Sequence, residues 1–280
     1  MLATRVQAAN IAALRAMDAQ KLTDAAAGGG FQPFGAVDGK TLSGQLVDVF
    51  DKGEQARVPL LAGFNSGEIR SLVALAPPPP ATAADYERII RERYGDLADE
   101  YLRLYPSSNM KESLFAATRD AFYGWTAERL AKKQAAAGAP AYLYLFDHGY
   151  PAAESANLHA HHASELPYVF RNLDRTPALW PKIPAAKEED RMADAMVGYW
   201  ASFARTGRPQ AQGEPDWPQY GKTGAYMLFS DAPHASDSLM PGMYSLQEAS
   251  VCRRKATGNT PWNLNLAVRS PVLAKEAGCG

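Results

Sequence analysis

The sequence places a carboxylate and an imidazole directly after two apolar runs that are predicted to be buried strands. Glu68 follows the run at residues 58–64, and His162 lies in the segment after the aromatic-rich run at residues 142–146. In open α/β sheets, functional residues lie in the loops beyond the carboxyl ends of the strands. An imidazole titrates near neutral pH and can act as a general base, which a carboxylate can orient. Either residue alone is more often an ordinary loop residue, so the prediction depends on the two occurring together.

Three of the five histidines, at positions 159, 161 and 162, fall in one segment that is predicted to be a loop, residues 152–174. With Glu165 they offer the nitrogen and oxygen ligands that zinc accepts, which keeps a metal-dependent hydrolase open as an alternative. The adjacent positions of His161 and His162 make convergence on one ion difficult, and no further ligands are evident. We therefore predict no metal site, and expect His159 and His161 to be structural.

The order of the two candidate residues is informative, because Glu68 precedes His162 as the acid precedes the base in α/β-hydrolases. In that fold a nucleophilic serine comes first, in a strained G-x-S-x-G turn between a strand and a helix. The sequence contains no G-x-S-x-G. Ser155 lies in A-E-S-A-N, but it follows the acid and lacks both flanking glycines, so we do not expect it to be the nucleophile.

A sheet with parallel strands would position these residues. Continuous apolar runs that are too short for helices predict three strands, at residues 58–64, 141–147 and 225–229. Pro59 has no N–H to donate and should stand at a strand start. Helical periodicity and end signals predict helices over residues 3–22 (with one break), 82–95, 111–137 and 192–206. Alternating strands and helices indicate an α/β domain with a largely parallel sheet.

Composition excludes several classes of protein. The 280 residues carry 29 Lys and Arg against 30 Asp and Glu, a net charge of −1, which is not typical of a nucleic-acid-binding protein. No apolar run approaches the roughly 18 residues that a membrane-spanning helix needs. The polar start of the chain has no apolar segment of the kind found in secretory signals.

Several motifs, taken in order along the chain, resemble those of the type B carboxylesterases, the carboxylesterase/cholinesterase branch of the α/β-hydrolases. Residues 34–40, F-G-A-V-D-G-K, look like the family's P-V-V-D-G segment, and residues 58–68, V-P-L-L-A-G-F-N-S-G-E, look like V-P-x-L-x-G-x-N-x-D-E. Residues 162–170, H-A-S-E-L-P-Y-V-F, look like H-G-x-E-[IL]-P-[YF]-V-F. Residues 199–209 and 217–220 look like Y-W-x-x-F-A-x-T-G-x-P and W-P-x-Y.

The resemblance implies a serine esterase in which Glu68 is the triad acid and His162 the base, with no metal or organic cofactor. It covers only the C-terminal half of the family's domain, because the serine elbow and the glycine-rich oxyanion loop belong to the other half. The chain departs from the pattern at Gly67, where the family has Asp, and at Ala163, where it has Gly.

The resemblance predicts that residues 1–235 form a partial α/β-hydrolase domain, with residues 236–280 as an irregular tail packed on it. Its expected partners are an ester substrate and the missing N-terminal half, with no nucleic acid and no membrane. The alternative from another class is a non-catalytic, cholinesterase-like binding module, which would need neither Glu68 nor His162. If the complete enzyme is secreted or periplasmic, Cys252 and Cys279 can form one disulfide; otherwise they are two reduced thiols.

Overall fold

The computed structural model describes residues 2–31, 35–258, 267–275 and 278–279. Phe34, the first residue of the motif at 34–40, lies outside the described residues, as does part of the predicted tail. The chain clusters into two compact units, residues 1–54 and 55–280, a division that was not expected from the sequence. No helix among the described residues is both long and apolar enough to cross a membrane.

The first unit is built from four short helices. These are α1 (Leu2–Arg5), α2 (Ile11–Arg15), α3 (Ala19–Gly28) and α4 (Leu46–Asp51). The predicted helix over residues 3–22 is thus interrupted twice, because the side chains of Asn10 and Asp18 cap the starts of α2 and α3. The predicted turn at residues 37–40 is present, with Gly39 at a φ of +70°.

The second unit contains a four-stranded, mostly parallel sheet flanked by helices. Its strands are β1 (Leu60–Asn65), β2 (Ala141–Phe146), β3 (Tyr226–Phe229) and β4 (Pro233–Ser236), in the order β1-β2-β3-β4. The first two pairings are parallel and β3–β4 is antiparallel. The α/β fold and the three predicted strands are confirmed. Pro59 directly precedes β1, and the first four residues of β1 are less buried than predicted because this strand lies at an edge.

Nine α-helices of the second unit are described. They are α5 (Ala83–Tyr94), α6 (Ala98–Leu104), α7 (Met110–Arg119), α8 (Trp125–Ala136), α9 (Pro151–Ser155), α10 (Leu166–Val169), α11 (Lys187–Thr206), α12 (Tyr220–Thr223) and α13 (Met243–Ala256). The hydroxyl of Thr82 accepts a hydrogen bond from the N–H of Asp85 at the start of α5, and Gly207 ends α11 at a φ of +73°.

The structure corrects three predicted segments. One helix over residues 111–137 is instead two helices, α7 and α8, joined by a π-helical turn at Asp120–Gly124. The segment at 152–174 is not all loop, since it contains the short helices α9 and α10. The tail is not irregular throughout, because α13 lies within it. The buried face of α13 includes Gln247, Ser250 and Arg254, so apolar periodicity does not reveal this helix.

Two buried clusters of side chains support this unit. One packs β2 and β3 against α11, with Phe146, Met196, Tyr199, Trp217 and Phe229 at its centre. The other lies among α5, α6 and α7 and is rich in tyrosine. Separately, Cys252 on α13 forms a disulfide with Cys279, with the two Cα atoms 5.8 Å apart, so the bridged alternative is confirmed.

Candidate active site

Glu68 is positioned by the turn that follows β1. It begins a 3₁₀ turn, Glu68–Arg70, and its side chain is buried, with only 5% of the residue exposed. Its Oε1 atom accepts a hydrogen bond from the backbone N–H of Asn65 at 3.0 Å. A buried carboxylate fixed in this way has its second oxygen available for another partner.

That second oxygen meets His162. The Nδ1 atom of His162 lies 2.5 Å from Oε2 of Glu68, and the imidazole side chain is 44% exposed. The hydrogen bond to Glu68 raises the pKa of His162 above its ordinary value, although burial opposes the shift. Because the carboxylate accepts, Nδ1 carries the proton, which leaves Nε2 without a hydrogen-bond partner among the described residues. The two residues predicted from the sequence are therefore in contact.

Backbone contacts join the turn after β1 to the loop that carries His162. Gly67 and His161 form a parallel bridge, and the N–H of Gly67 donates to the carbonyl of Ala160 at 2.9 Å. A Cβ atom on residue 67 would lie 2.8 Å from the carbonyl oxygen of Ala160 and 2.9 Å from that of Leu158. This close approach leaves no room for a side chain at residue 67 in this structure.

The other departure from the motif, Ala163, has a φ of +65°. This is the left-handed region, which glycine adopts without strain and alanine does not. Ala163 therefore occupies a position at which the family's glycine is the natural residue, and this chain tolerates some strain immediately after the imidazole.

Asn65 and Glu165 form a buried polar link beside the pair. The amide nitrogen of Asn65 donates to the carbonyl of His161 at 2.8 Å and to Oε2 of Glu165 at 2.5 Å. Burial raises the pKa of Glu165. The sequence offers Glu165 as a metal-ligand candidate and as part of the motif at residues 162–170, and neither predicts its contact with Asn65.

Tyr123 was missed by the sequence reasoning. It lies in the π-helical turn at Asp120–Gly124, and its ring centroid is 5.6 Å from that of His162. Burial, and then the negative charge of Glu68, raise the pKa of Tyr123. Insertions of a π turn into a helix are frequent at functional sites, but apolar periodicity does not predict them.

The three histidines of the loop do not converge. His162 contacts Glu68, whereas His159 contacts Asp147 and Glu154. His161 is buried, its Nδ1 lies 3.2 Å from the carbonyl of its neighbour, and its ring packs edge-on against Trp180. Among the described residues there is no group of three or more His, Cys, Asp or Glu side chains that could hold a metal ion.

Ser155, the weak nucleophile candidate, is the last residue of α9. Its hydroxyl donates to the carbonyl of Pro151 at 2.9 Å, as serine often does within a helix. It therefore does not occupy a turn between a strand and a helix, which is where the nucleophile of an α/β-hydrolase stands.

Comparison with known proteins places this chain and its fold in a family. The model of the carboxylesterase family matches residues 3–246. A fumonisin B1 esterase of Sphingopyxis macrogoltabida is 30% identical over 246 residues, which cover 82% of this chain and 45% of that protein. Carboxylesterase 5A of Homo sapiens is 25% identical, over 68% of this chain and 36% of that protein.

A carboxylesterase of Geobacillus stearothermophilus, whose crystal structure is known, is 26% identical with a TM-score of 0.62. The match covers 88% of this chain and 51% of that one. The chain thus spans about half the length, or less, of these relatives. Because the family model matches residues 3–246, most of its length, the chain belongs to the carboxylesterase family.

Proposed function

We propose that this chain supplies the acid and the base of a serine carboxylesterase, and that the nucleophilic serine comes from a segment outside these 280 residues. The observation that carries the proposal is the contact of Glu68 with Nδ1 of His162, at 2.5 Å, on a half-exposed imidazole whose Nε2 is unpartnered among the described residues. A general base needs a fixed orientation and one free nitrogen, and this imidazole has both.

In the proposed reaction the serine hydroxyl attacks the ester carbonyl while Nε2 of His162 takes its proton. The tetrahedral intermediate collapses, and His162 gives that proton to the leaving alcohol, which leaves an acyl-serine. Water then attacks the acyl carbon, with His162 again accepting the proton and returning it to the serine as the acid departs. Glu68 orients His162 and stabilises the imidazolium. The donors to the oxyanion lie, like the serine, outside this chain.

The edge of β1 is where we place the missing half of the fold. No described strand pairs with the edge of β1 that faces away from β2. The N-terminal half of a carboxylesterase would add strands there and bring its serine to the loops after β1 and β2. Substrates are then carboxylic esters, as the names of the relatives suggest. A purely binding module would not need the paired acid and base.

The test is complementation. The chain alone should hydrolyse p-nitrophenyl esters no faster than its His162→Ala variant, since a triad without its serine loses several orders of magnitude in rate. Co-production with the elbow-containing half of a family relative should restore turnover that His162→Ala abolishes. His234→Ala is the matched control, because among the described residues the exposed side chain of His234 is hydrogen-bonded only to the carbonyl of Ala232. Labelling of any residue of this chain by a fluorophosphonate would contradict the proposal.

A further inference from the structure

His159, which the proposed reaction does not use, is held between two carboxylates. Its Nε2 lies 2.8 Å from Oδ1 of Asp147, the first residue after β2, and its Nδ1 contacts Oε1 of Glu154 on α9. An ionised carboxylate can only accept hydrogen bonds, so both ring nitrogens must donate. With both carboxylates ionised, this geometry fits the doubly protonated imidazolium.

The loop around His159 departs from relaxed backbone geometry. Asn157, His159 and Ala163 have φ angles of +55°, +48° and +65°, a region that residues other than glycine seldom adopt. Such conformations persist only where surrounding contacts hold them. The two carboxylates of the His159 cluster provide such contacts. A Cβ atom at Gly149 would overlap Glu154 and His159, so the cluster packs directly on the chain after β2.

Backbone hydrogen bonds connect His159 to the segment that carries His162. The N–H of His161 donates to the carbonyl of His159 at 2.9 Å, and the carbonyl of Ala160 accepts from Gly67 at 2.9 Å. The segment is thus tied to α9 and β2 at one end and to the Glu68 turn at the other.

We propose that His159 is a positioning residue: as an imidazolium clamped between Asp147 and Glu154, it fixes the loop in which His162 meets Glu68. Loss of the His159 proton removes one of the two donated hydrogen bonds and releases the loop. The ordered contact of His162 with Glu68 is therefore lost at high pH. The inference rests on the proposed function only in taking His162 as the base, since the clamp itself concerns the Glu68–His162 contact.

The two carboxylates that contact His159 both favour its protonated form. The hydrogen bond to Asp147 raises the pKa of His159; burial opposes this, and Glu154 adds to it. Burial opposes ionisation of Asp147, but its pKa is lowered by the hydrogen bond with His159, to which the charge of Arg119 on α7 adds. Arg70 donates to Asn157 within the same loop. Since the pKa is raised on folding, the clamp is complete below the ordinary imidazole value of about 6.5 and is lost as pH rises through the raised value.

The test uses the full 280-residue chain and the rate at which diethyl pyrocarbonate modifies each histidine, resolved by tandem mass spectrometry over a range of pH. The reagent attacks neutral imidazole, so each rate reports the protonation of that residue. The main variant is His159→Asn, because asparagine tolerates a left-handed backbone. His159→Arg retains the charge and the donors, and Arg171 shows that this chain accepts arginine at a φ of +49°. His234→Asn is the control.

For the clamp to hold while His162 titrates, His159 must lose its proton at a higher pH than His162. The inference therefore requires that His162 in the native chain become reactive in two steps, the second as His159 deprotonates. In His159→Asn, the modification rate of His162 should rise with pH in a single step. The midpoint of that rise should fall by about half a pH unit or more, because a loosened contact with Glu68 stabilises the imidazolium less. Mere removal of a positive charge would raise that midpoint instead. His159→Arg should keep the midpoint near the native one and abolish the second step, while His234→Asn should change neither.

A midpoint for His162 that is unchanged or raised in His159→Asn would overturn the inference. So would modification of the buried His161 as fast as that of His162, because it would show general unfolding. These rates do not depend on ester hydrolysis. Failure of complementation with a normal two-step curve would therefore count against the proposed esterase and not against the clamp.

Discussion

Nδ1 of His162 and Oε2 of Glu68 are 2.5 Å apart although 94 residues separate them in the chain. The parallel pairing of β1 with β2 explains the contact, since it brings the segments that follow both strands to one edge of the sheet. The isolated Gly67–His161 bridge adds a backbone contact between the two segments that follow these strands. The contact therefore depends on the pairing of β1 with β2 as well as on the two side chains.

We expect Glu68→Gln to shift the pH dependence of the complemented enzyme. The hydrogen bond to Glu68 raises the pKa of His162, and only the neutral imidazole can accept the serine proton. Replacing the carboxylate by an amide lowers that pKa, so the acid limb of the profile of kcat/KM against pH should move to lower pH. The maximal rate should fall by about a hundredfold or more, because the imidazolium loses its partner. An acid limb that stays in place would contradict the assignment of both residues.

The three parallel strands could be predicted from the sequence, because buried parallel strands have continuous apolar runs. The contact of Glu68 with His162 could be predicted because each residue follows one of these runs, within a recognisable motif. β4 could not, since Pro233 and His234 lack any alternation of apolar residues. The π turn that carries Tyr123 interrupts no apolar stripe. The contact of His159 with Asp147 depends on where a loop folds back, which spacing along the chain does not determine.

Ala163→Gly should stabilise the protein by up to about 1 kcal/mol. The left-handed backbone at +65° costs alanine about 1–2 kcal/mol, and glycine removes that cost while adding some entropy to the unfolded chain. Thermal or urea unfolding measures the difference. Ala152→Gly, a half-buried alanine in α9, is the control and should destabilise by roughly 0.5–1 kcal/mol. A loss of stability in both variants would show that the backbone at 163 is unstrained.

Gly67→Ala should separate the two loops of the candidate site. The added Cβ would meet two backbone carbonyl oxygens, and the φ of −101° at this residue is allowed for alanine, so the effect comes from this overlap. We expect a loss of about 1–3 kcal/mol in unfolding free energy and a lower pKa of His162 by nuclear magnetic resonance. Gly44→Ala, whose Cβ would find only ordinary contact, should change neither quantity.

Reduction of the disulfide between Cys252 and Cys279 should lower stability substantially. The bridge spans a sequence separation of 27 residues, and a loop of this size is worth about 3–4 kcal/mol in the chain-entropy model. Urea unfolding with and without a reductant, compared with the Cys252→Ser/Cys279→Ser double variant, measures this contribution. The double variant should behave like the reduced chain and be insensitive to the reductant. Equal stability of the native chain in both conditions would mean that the bridge does not form in solution.

The outer edge of β1 should make the 280-residue chain prone to self-association. Its backbone groups there pair with no described strand, and Leu60 to Gly63 are only partly buried. Large apolar side chains are also exposed in the second unit, among them Val58, Phe170 and Leu179. An unpaired strand edge and exposed apolar surface both promote association.

We therefore expect the isolated chain to bind 8-anilinonaphthalene-1-sulfonate strongly and to elute from a sizing column as a mixture of oligomers. Val58→Lys tests the edge, because Val58 is exposed just before β1 and a charge beside an edge strand opposes pairing with another copy. This variant should reduce association, whereas Leu228→Lys, on β3 between two paired strands, should disrupt the fold instead. Co-production with an elbow-containing half should also suppress dye binding, since that half would cover the same edge. A monomer with a sharp thermal transition and no dye binding would mean that the chain closes its own sheet, and the proposal that a further half pairs with β1 would fail.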